Sequence, residues 1–300
     1  MESRASTGGK PARQGAGDDA GGGDGDARRS RSAVRLIYDH HDLGPAHARD
    51  RKFVWALARG LEILRAFRPG QGALGNNELA ALTGLPKPTV SRLTYTLTEL
   101  GYLSYVPRLG RYEPAAPLLA LSHPVLSNLG LRQVARDHMQ ALANAAGASV
   151  SIASPDRISM IYLDTCQASS LTRLRLEVGS RVEMVRSSVG RAWLAAIGER
   201  ERALLYERFA TRYQEEWPAL RDRVEDAIAQ IRARGFCLVD REWEPDVRAV
   251  GVPLVSPDGS TVLAMNCGAG GLVLDVARLE SEIGPRLVHL GRIIAPALGR

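Results

Sequence analysis

Residues 76–113 read NNELAALTGLPKPTVSRLTYTLTELGYLSYVPRLGRYE, and this stretch decides the fold of the N-terminal part of the chain. Gly84 breaks a first short helix, and Pro88 stands near the start of a second helix, where proline is well tolerated. The second helix has one apolar face at helical spacing, formed by Val90, Leu93, Leu97 and Leu100. Gly101 ends this helix, and two short strand-like runs follow around a turn at residues 107–110. The pattern predicts a winged helix-turn-helix, in which the second helix enters the major groove of double-stranded DNA.

The opposite face of the second helix is basic and hydroxylic, and it holds almost no acid before Glu99. A helix face that only meets water usually mixes both signs of charge, so this composition favours contacts with phosphates and base edges. Two arginines of the predicted wing extend the same surface. The residues expected to contact DNA are Lys87, Pro88, Thr89, Ser91, Arg92, Tyr95, Arg108 and Arg111.

The positive charge of the chain is concentrated in the same segment. The whole chain carries a formal net charge of +6 at pH 7, with a pI of about 9.5. Residues 51–113 contain nine basic and four acidic side chains and so hold +5, whereas residues 1–50 contain eight of each sign. A localised basic segment is typical of a nucleic-acid contact, and chance clustering on a solvated surface is the plainer alternative.

Composition divides the 300 residues into four segments. Residues 1–50 are rich in Gly, Ala, Asp and Arg without apolar periodicity, so we expect a disordered tail. Residues 51–113 form the predicted DNA-binding domain, residues 114–130 an apolar linker helix that packs against a second subunit, and residues 131–300 a second domain. No secretion signal follows Met1 and no run of 18 apolar residues occurs, so we expect a cytoplasmic protein without a membrane partner.

The second domain contains strands and helices in blocks. After a helix at 131–146, strand-like runs are predicted at 148–154, 158–164 and 171–177, before helices at 189–197, 199–210 and 218–234. Strands resume at 236–239, 247–256 and 260–267, with the turn sequence SPDG between the last two, and a final helix is predicted at 275–297. Strands, then helices, then strands predict an α+β domain with a largely antiparallel sheet.

A search for catalytic chemistry finds little in this sequence. Cys166, Cys237 and Cys267 stand apart from one another, which is typical of buried, reduced thiols, and the six histidines form no ligand spacing with cysteine or acid. Glu242 and Glu244 flank a tryptophan without a base or nucleophile nearby in sequence, which favours a place at the rim of a pocket. We therefore expect no metal, no cofactor and no enzymatic activity.

One segment of the second domain has the features of a ligand site. The sequence VGSRVEMVRSSVGRAWLA at residues 178–195 places Ser187 and Ser188 directly before a predicted helix. Hydroxyls and free backbone N–H groups at a helix N-terminus bind anions readily, and Gly190 would let a ligand approach closely. The alternative is that Ser187 is simply the N-cap of this helix, and the sequence does not separate the two interpretations.

Four stretches of the chain resemble the IclR type of bacterial transcriptional regulator, over residues 53–298. They occur in that family's order and spacing: FVWALARGLEILRAF, ELAALTGLPKPTVSRLTYTLTELGYL, VGSRVEMVRSSVGRAWLA and RGFCLVDREWEPDVRAVGVPLVSPDGSTVLAMN. The resemblance implies a winged helix-turn-helix joined by a linker helix to a GAF-like effector domain. It also implies homodimers or tetramers that bind near-palindromic operators and control nearby catabolic genes.

By position, the resemblance implies a recognition helix at residues 87–100 and an effector pocket in the second domain. The VGSR and LAMN stretches are similar to those of members that sense aromatic acids, whereas Ala249 and Cys267 imply a less polar pocket than is typical. We therefore expect a DNA-binding regulator that responds to a small organic acid, with aromatic acids among the candidates. A GAF-like small-molecule enzyme or sensor without specific DNA recognition is the alternative. The implied pocket residues are Ser187, Ser188, Gly190, Asp240, Glu242, Val247, Ala249, Asn266 and Gly268.

Overall fold

The computed structural model describes residues 51–127, 131–169, 176–270 and 273–298. The predicted tail at residues 1–50 lies outside the described residues, as does most of the predicted strand at 171–177. Two regions are described in turn: the helix-turn-helix region, residues 51–114, and the C-terminal region, residues 131–298. The domain boundaries placed at residues 50, 113 and 130 stay predictions.

The helix-turn-helix region packs three helices and a two-stranded hairpin around a small core. Gly84 adopts a left-handed conformation, with φ 65°, between the second and third helices. Glycine adopts this conformation without strain, so the turn falls where the sequence predicts it. The centre of the core is formed by Ile63, Leu79, Val90 and Leu103. The elements are α1 (Trp55–Arg65), α2 (Asn76–Thr83), α3 (Lys87–Glu99), β1 (Leu103–Val106) and β2 (Arg111–Pro114).

Two helices follow the wing. The predicted linker helix is α4 (Pro117–Ser127), which continues through Pro124 and leaves Leu119 and Val125 exposed. The next helix, α5 (Leu131–Ala146), ends at Gly147, which has a left-handed φ of 67°. A glycine directly after the last helical residue is the usual helix stop, and the sequence predicts it at this position.

Six antiparallel strands form the sheet of the C-terminal region, in the order β5-β4-β3-β8-β7-β6. This arrangement confirms the predicted α+β architecture with an antiparallel sheet. The strands are β3 (Ser149–Asp156), β4 (Ser159–Gln167), β5 (Arg181–Glu183), β6 (Cys237–Asp240), β7 (Val247–Val255) and β8 (Val262–Gly270). Between β5 and β6 lie α6 (Ser188–Ala196), α7 (Glu199–Tyr213) and α8 (Trp217–Arg234).

The two faces of this sheet differ in chemistry because successive side chains of a strand point to opposite faces. Val150, Ile152 and Met265 belong to the main core, which the sheet shares with α5 and the last helix of the chain. On the other face the register sets Ser149 opposite Gly268, and Ser151 opposite Asn266. Helix α6 packs on that second face. The polar residues of the sheet are therefore gathered beneath the start of one helix.

A β-bulge decides which residues of β4 join the polar face. The register of β3 against β4 shifts between Ile152 and Ala153, because Ile152 pairs with Asp164 but Ala153 pairs with Tyr162. Leu163 is therefore an extra residue on β4. The bulge reverses the alternation of side chains and brings Tyr162 to the same face as the two serines of β3.

Two elements differ from the sequence-based expectation. Strand β5 is not predicted from the sequence, because three residues are too few to show an alternating pattern. The predicted continuous final helix is instead α9 (Val276–Arg278), a π-helical turn (Leu279–Ile283), α10 (Gly284–Ile294) and a 3₁₀ turn (Ala295–Ala297). Pro285 follows the π-helical turn and has no N–H to donate, which disrupts regular α-helical bonding there. Within the described residues, no helix has the length and apolar character needed to cross a membrane.

Candidate DNA-binding surface and effector cavity

The residues of α3 predicted to contact DNA share its solvent-facing side. They are Lys87, Pro88, Thr89, Ser91, Arg92 and Tyr95, and among them only Thr89 is partly buried. Tyr95 is 64% exposed, so its ring is accessible to a partner. Lys87 and Arg92, together with Arg108 on the wing, make no ion pair or hydrogen bond with the described residues. These three cations are therefore available to contact phosphates.

Arg111 is engaged within the protein instead. Its Nη1 donates to the carbonyl oxygen of Ala73 at 3.0 Å, and its Nη2 lies 3.2 Å from Oε1 of Glu78. Glu78 also accepts a hydrogen bond from the backbone N–H of Gly75 at 2.8 Å. Arg111 thus ties the wing to the start of α2, which distinguishes it from the three cations that pair with none of the described residues.

Helix α6 begins directly against the sheet, and two glycines allow this approach. A Cβ atom on Gly190 would lie 2.1 Å from the carbonyl oxygen of Met184, and one on Gly251 would lie 2.2 Å from that of Ser188. Atoms do not approach this closely, so both positions need glycine. Gly190 therefore admits the chain's own backbone and is not part of the cavity wall, which corrects the expectation that it makes room for a ligand.

The two serines at the start of α6 have different roles. Ser187 Oγ accepts a hydrogen bond from the Gly190 N–H at 3.2 Å and donates one to the Glu183 carbonyl at 2.6 Å. The N-cap interpretation is therefore confirmed for Ser187. Ser188 is 1% exposed, and its Oγ has no hydrogen-bond partner among the described residues.

A cavity lies between the polar face of the sheet and the start of α6, and its empty space of about 420 Å³ includes the solvent at its mouth. Four residues of its wall carry a buried polar atom without a hydrogen-bond partner in the described part of the chain: Ser149 Oγ, Ser188 Oγ, Trp243 Nε1 and Asn266 Oδ1. An unpaired buried polar group costs about 1–3 kcal/mol, so these four atoms are groups that a bound ligand or water molecule would pair with. The wall includes these predicted residues: Ser187, Ser188, Val247, Ala249, Asn266 and Gly268.

Asp240 and Glu242 do not line this cavity, contrary to expectation. Asp240 Oδ1 accepts a hydrogen bond from Arg248 Nε at 2.6 Å. The two carboxylate oxygens of Glu242 accept from Nη1 and Nη2 of Arg191, at 2.9 and 2.6 Å. The nearby arginines are thus paired with internal acids. None of these four charged residues lines the cavity.

The pair of Arg191 and Glu242 fixes the loop that carries Trp243. Arg191 is 2% exposed and also donates from Nε to the Val185 carbonyl at 2.8 Å. Burial by itself raises the pKa of Glu242, but hydrogen bonds and charges from Arg191 and Arg223 outweigh it and hold the pKa below its usual value. The carboxylate stays ionised, so the pair holds the loop between β6 and β7 against α6 and keeps Trp243 in the cavity wall.

Half of the cavity wall was not identified from the sequence. Ser149 and Ser151 alternate with Val150 and Ile152 along β3, and this pattern of two serines on one strand face was the available signal. The Tyr162 hydroxyl accepts from Asn266 Nδ2 at 3.4 Å, and burial raises its pKa, so it keeps its own proton. The wall residues that were not predicted from the sequence are Ser149, Ser151, Tyr162, Leu176, Val239 and Trp243.

Models of two protein families match this chain. The IclR helix-turn-helix domain matches residues 56–107, and the bacterial transcriptional regulator IclR C-terminal domain matches residues 123–292. The first match contains α3 with its exposed cations, and the second contains the cavity. The chain belongs to the IclR family. It is a DNA-binding transcriptional regulator, as the resemblance implies, and the alternative of an enzyme or sensor without DNA recognition is not favoured.

Individual relatives agree with this assignment. The HTH-type transcriptional regulator TsaQ1/TsaQ2 of Comamonas testosteroni is 34% identical over 79% of this chain and 86% of its own length. The Pca regulon regulatory protein of Pseudomonas putida is 27% identical over 81% of this chain and 84% of its own length. The crystal structure of an IclR family transcriptional regulator from Brucella abortus is 44% identical and superposes with a TM-score of 0.77, covering 87% of this chain and 100% of that one.

Proposed function

We propose that this IclR family member controls nearby catabolic genes from a near-palindromic operator, in the cytoplasm, in response to a small organic acid bound in the cavity. The observation that carries the proposal is the set of four buried polar atoms around one cavity that lack a partner among the described residues. The ligand would shift the population between two dimer geometries that space the recognition helices differently.

The polar atoms of the cavity support a hydroxylated acid. The hydroxyls of Ser149 and Ser188 and the indole N–H of Trp243 are donors for a carboxylate, close to the N-terminus of α6, where the helix dipole favours negative charge. Asn266 Oδ1 is an acceptor, and it would accept a hydrogen bond from a donor such as a ligand hydroxyl. Among the described residues, no charged side chain lines the cavity, so neutral donors would hold the carboxylate.

Calorimetry with matched probes tests this assignment. We expect 4-hydroxybenzoate to bind the wild type about fivefold more tightly than benzoate, since one hydrogen bond is worth roughly 1 kcal/mol. The preference should vanish in Asn266→Ala, and Ser188→Ala should weaken both probes. Ser281→Ala is the control, because Ser281 is exposed and bonds only to its own helix. If neither probe binds, or if Asn266→Ala and Ser188→Ala bind like the wild type, the assignment fails.

The DNA-binding surface is tested with the duplex directly upstream of the protein's own coding sequence. We expect binding that weakens steeply with salt, because Lys87, Arg92 and Arg108 displace counterions from phosphates. Arg92→Ala should cost about 1–3 kcal/mol if the guanidinium contacts a base. Arg200→Ala, on the exposed side of α7, is the matched control. Equal binding by the wild type and Arg92→Ala would contradict the proposed role of α3.

We propose that a second copy of the chain covers the exposed apolar residues of α1 and α4, which gives a homodimer or a tetramer. Val54, Leu57 and Leu61 lie three and four residues apart on and next to α1, and all are more than half exposed. Leu119 and Val125 of α4 are exposed as well. Light scattering should therefore give at least twice the chain mass of 32.4 kDa at micromolar concentration. A mass of one chain would contradict this assembly.

A further inference from the structure

Ion pairs join α1 to the turn between β3 and β4. Arg65 donates from Nη1 and Nη2 to Asp156 at 3.0–3.2 Å, so both carboxylate oxygens are used. Asp156 also accepts from Nε of Arg181, and Glu62 accepts from Nη2 of Arg157. Asp156, the last residue of β3, and Arg157, which follows it in the turn, therefore contact two residues that lie one helical turn apart on α1. We call these five residues the clasp.

The clasp is largely shielded from water, which distinguishes it from an ordinary surface ion pair. The side chains of Glu62, Asp156 and Arg181 are 6%, 17% and 15% exposed. Exposed pairs contribute little, whereas shielded contacts that use both oxygens of a carboxylate also fix geometry. Arg157 has a φ of 61°, which is uncommon for a residue with a side chain and persists where the surroundings hold it.

One end of the clasp is connected to the cavity wall. Arg181 is the first residue of β5, and the chain runs from it through β5 to the wall residue Ser187. The backbone N–H of Tyr162, another wall residue, donates to the carbonyl of Ser180 at 2.9 Å. Ser187 and Tyr162 are therefore connected to Arg181 by one short strand and one backbone hydrogen bond, and Arg181 in turn contacts Asp156.

We propose that Asp156 is the positioning residue that couples the cavity to the DNA-binding helices. It holds α1 through Arg65 and β5 through Arg181, and it thereby sets the orientation of the helix-turn-helix region on the C-terminal region. Asp156 is in neither the cavity wall nor the predicted DNA surface, so its effect passes through its two arginines. The inference rests on the proposed function, because the orientation matters only where a ligand changes operator binding.

Distances between two spin labels measure this orientation without DNA or ligand. Cys166, Cys237 and Cys267 are buried, so labels attach at two introduced cysteines, Glu99→Cys at the end of α3 and Arg208→Cys on α7. Labelled chains are mixed with an excess of unlabelled chains, so that each distance lies within one chain. We expect one narrow distribution in the otherwise wild-type protein. Breaking the clasp should increase the width of this distance distribution about twofold, because a second orientation of the helix-turn-helix region becomes populated.

Two variants break the contacts of Asp156 within the clasp, and one control does not. Arg65→Gln removes the contact of Asp156 to α1 and leaves the pairs Asp156–Arg181 and Glu62–Arg157 in place, so it stands in if Asp156→Asn does not fold. Arg286→Gln is the control, because it removes an exposed ion pair of 2.9 Å within the last helices. A distribution that stays narrow in both Arg65→Gln and Asp156→Asn overturns the proposal.

The second measurement is the affinity for the upstream duplex with and without 4-hydroxybenzoate. We expect the acid to change the affinity of the wild type for the duplex by about tenfold, a usual size for allosteric coupling. In the clasp variants, the acid should change this affinity by less than about twofold. The variants should still bind the acid in calorimetry, which a general loss of structure would prevent. A full response in both variants overturns the proposal. A wild type that binds no duplex or ignores the acid contradicts the proposed function instead, and the distance distributions then decide on the clasp.

Discussion

Replacing Glu242 by glutamine separates a role in holding the fold from a role in binding the ligand. Glu242 accepts two hydrogen bonds from Arg191, whose side chain is 2% exposed, and one from Arg223, whose side chain is 53% exposed. Glutamine keeps the size of the side chain but loses the charge and one of the two acceptor oxygens. The guanidinium of Arg191 is then buried without a counter-charge.

The expected loss of stability follows from this geometry. Removing one partner of a buried ion pair costs about 3–5 kcal/mol, because the other charge is left uncompensated. The Glu242 side chain is 19% exposed, so water reaches its outer side, and we place the loss at the lower end, about 3 kcal/mol. In a chain of this size 1 kcal/mol shifts the melting temperature by about 2–4 °C, so we expect a shift of roughly 6–12 °C.

Urea unfolding followed by circular dichroism measures this loss, at one fixed protein concentration because assembly changes the apparent stability. Arg223→Gln is the matched control, since it removes the exposed partner of the same carboxylate and should cost less than about 1 kcal/mol. The double variant Arg191→Met with Glu242→Gln should recover part of the loss, because no buried charge remains. If Glu242→Gln is as stable as the wild type and binds 4-hydroxybenzoate more weakly, Glu242 contacts the ligand and the reasoning is refuted.

Further predictions concern pH, packing and the wing. The pKa of Glu242 is lowered from 4.5 in the folded state, so its contribution to the free energy of unfolding is present above that value and is lost as the pH falls through the folded pKa. Urea unfolding should therefore show that the difference in free energy of unfolding between the wild type and Glu242→Gln shrinks only below about pH 4.5. Gly251→Val places a Cβ where Ser188 O lies 2.2 Å away, so it should lower the melting temperature strongly, whereas Gly198→Ala, in open space, should not. Arg108→Ala should reduce the salt slope of DNA binding by about one, while Arg111→Ala should lower stability and leave that slope unchanged.

Local patterns in the sequence were sufficient for the helix-turn-helix region. The apolar spacing from Val90 to Leu100, the glycine at position 84 and the turn at residues 107–110 each act within a few residues, so the elements follow from neighbours along the chain. The same holds for α5 with its stop at Gly147 and for the hairpin at 256–259. The resemblance to a family then supplied the location of the cavity, including Asn266 and Gly268.

Tertiary structure decided which polar side chains meet. Tyr162 reaches the cavity only because β4 contains a bulge, and Glu242 is turned toward Arg191, which lies 51 residues away in sequence. The contacts of Asp156 with Arg65 span 91 residues. Secondary structure depends on neighbours along the chain, which the sequence shows directly. The partner of a buried polar or charged group depends instead on how distant strands and helices pack. A buried polar group needs a hydrogen-bond partner, and only the packed fold decides which groups lie within hydrogen-bond distance of it.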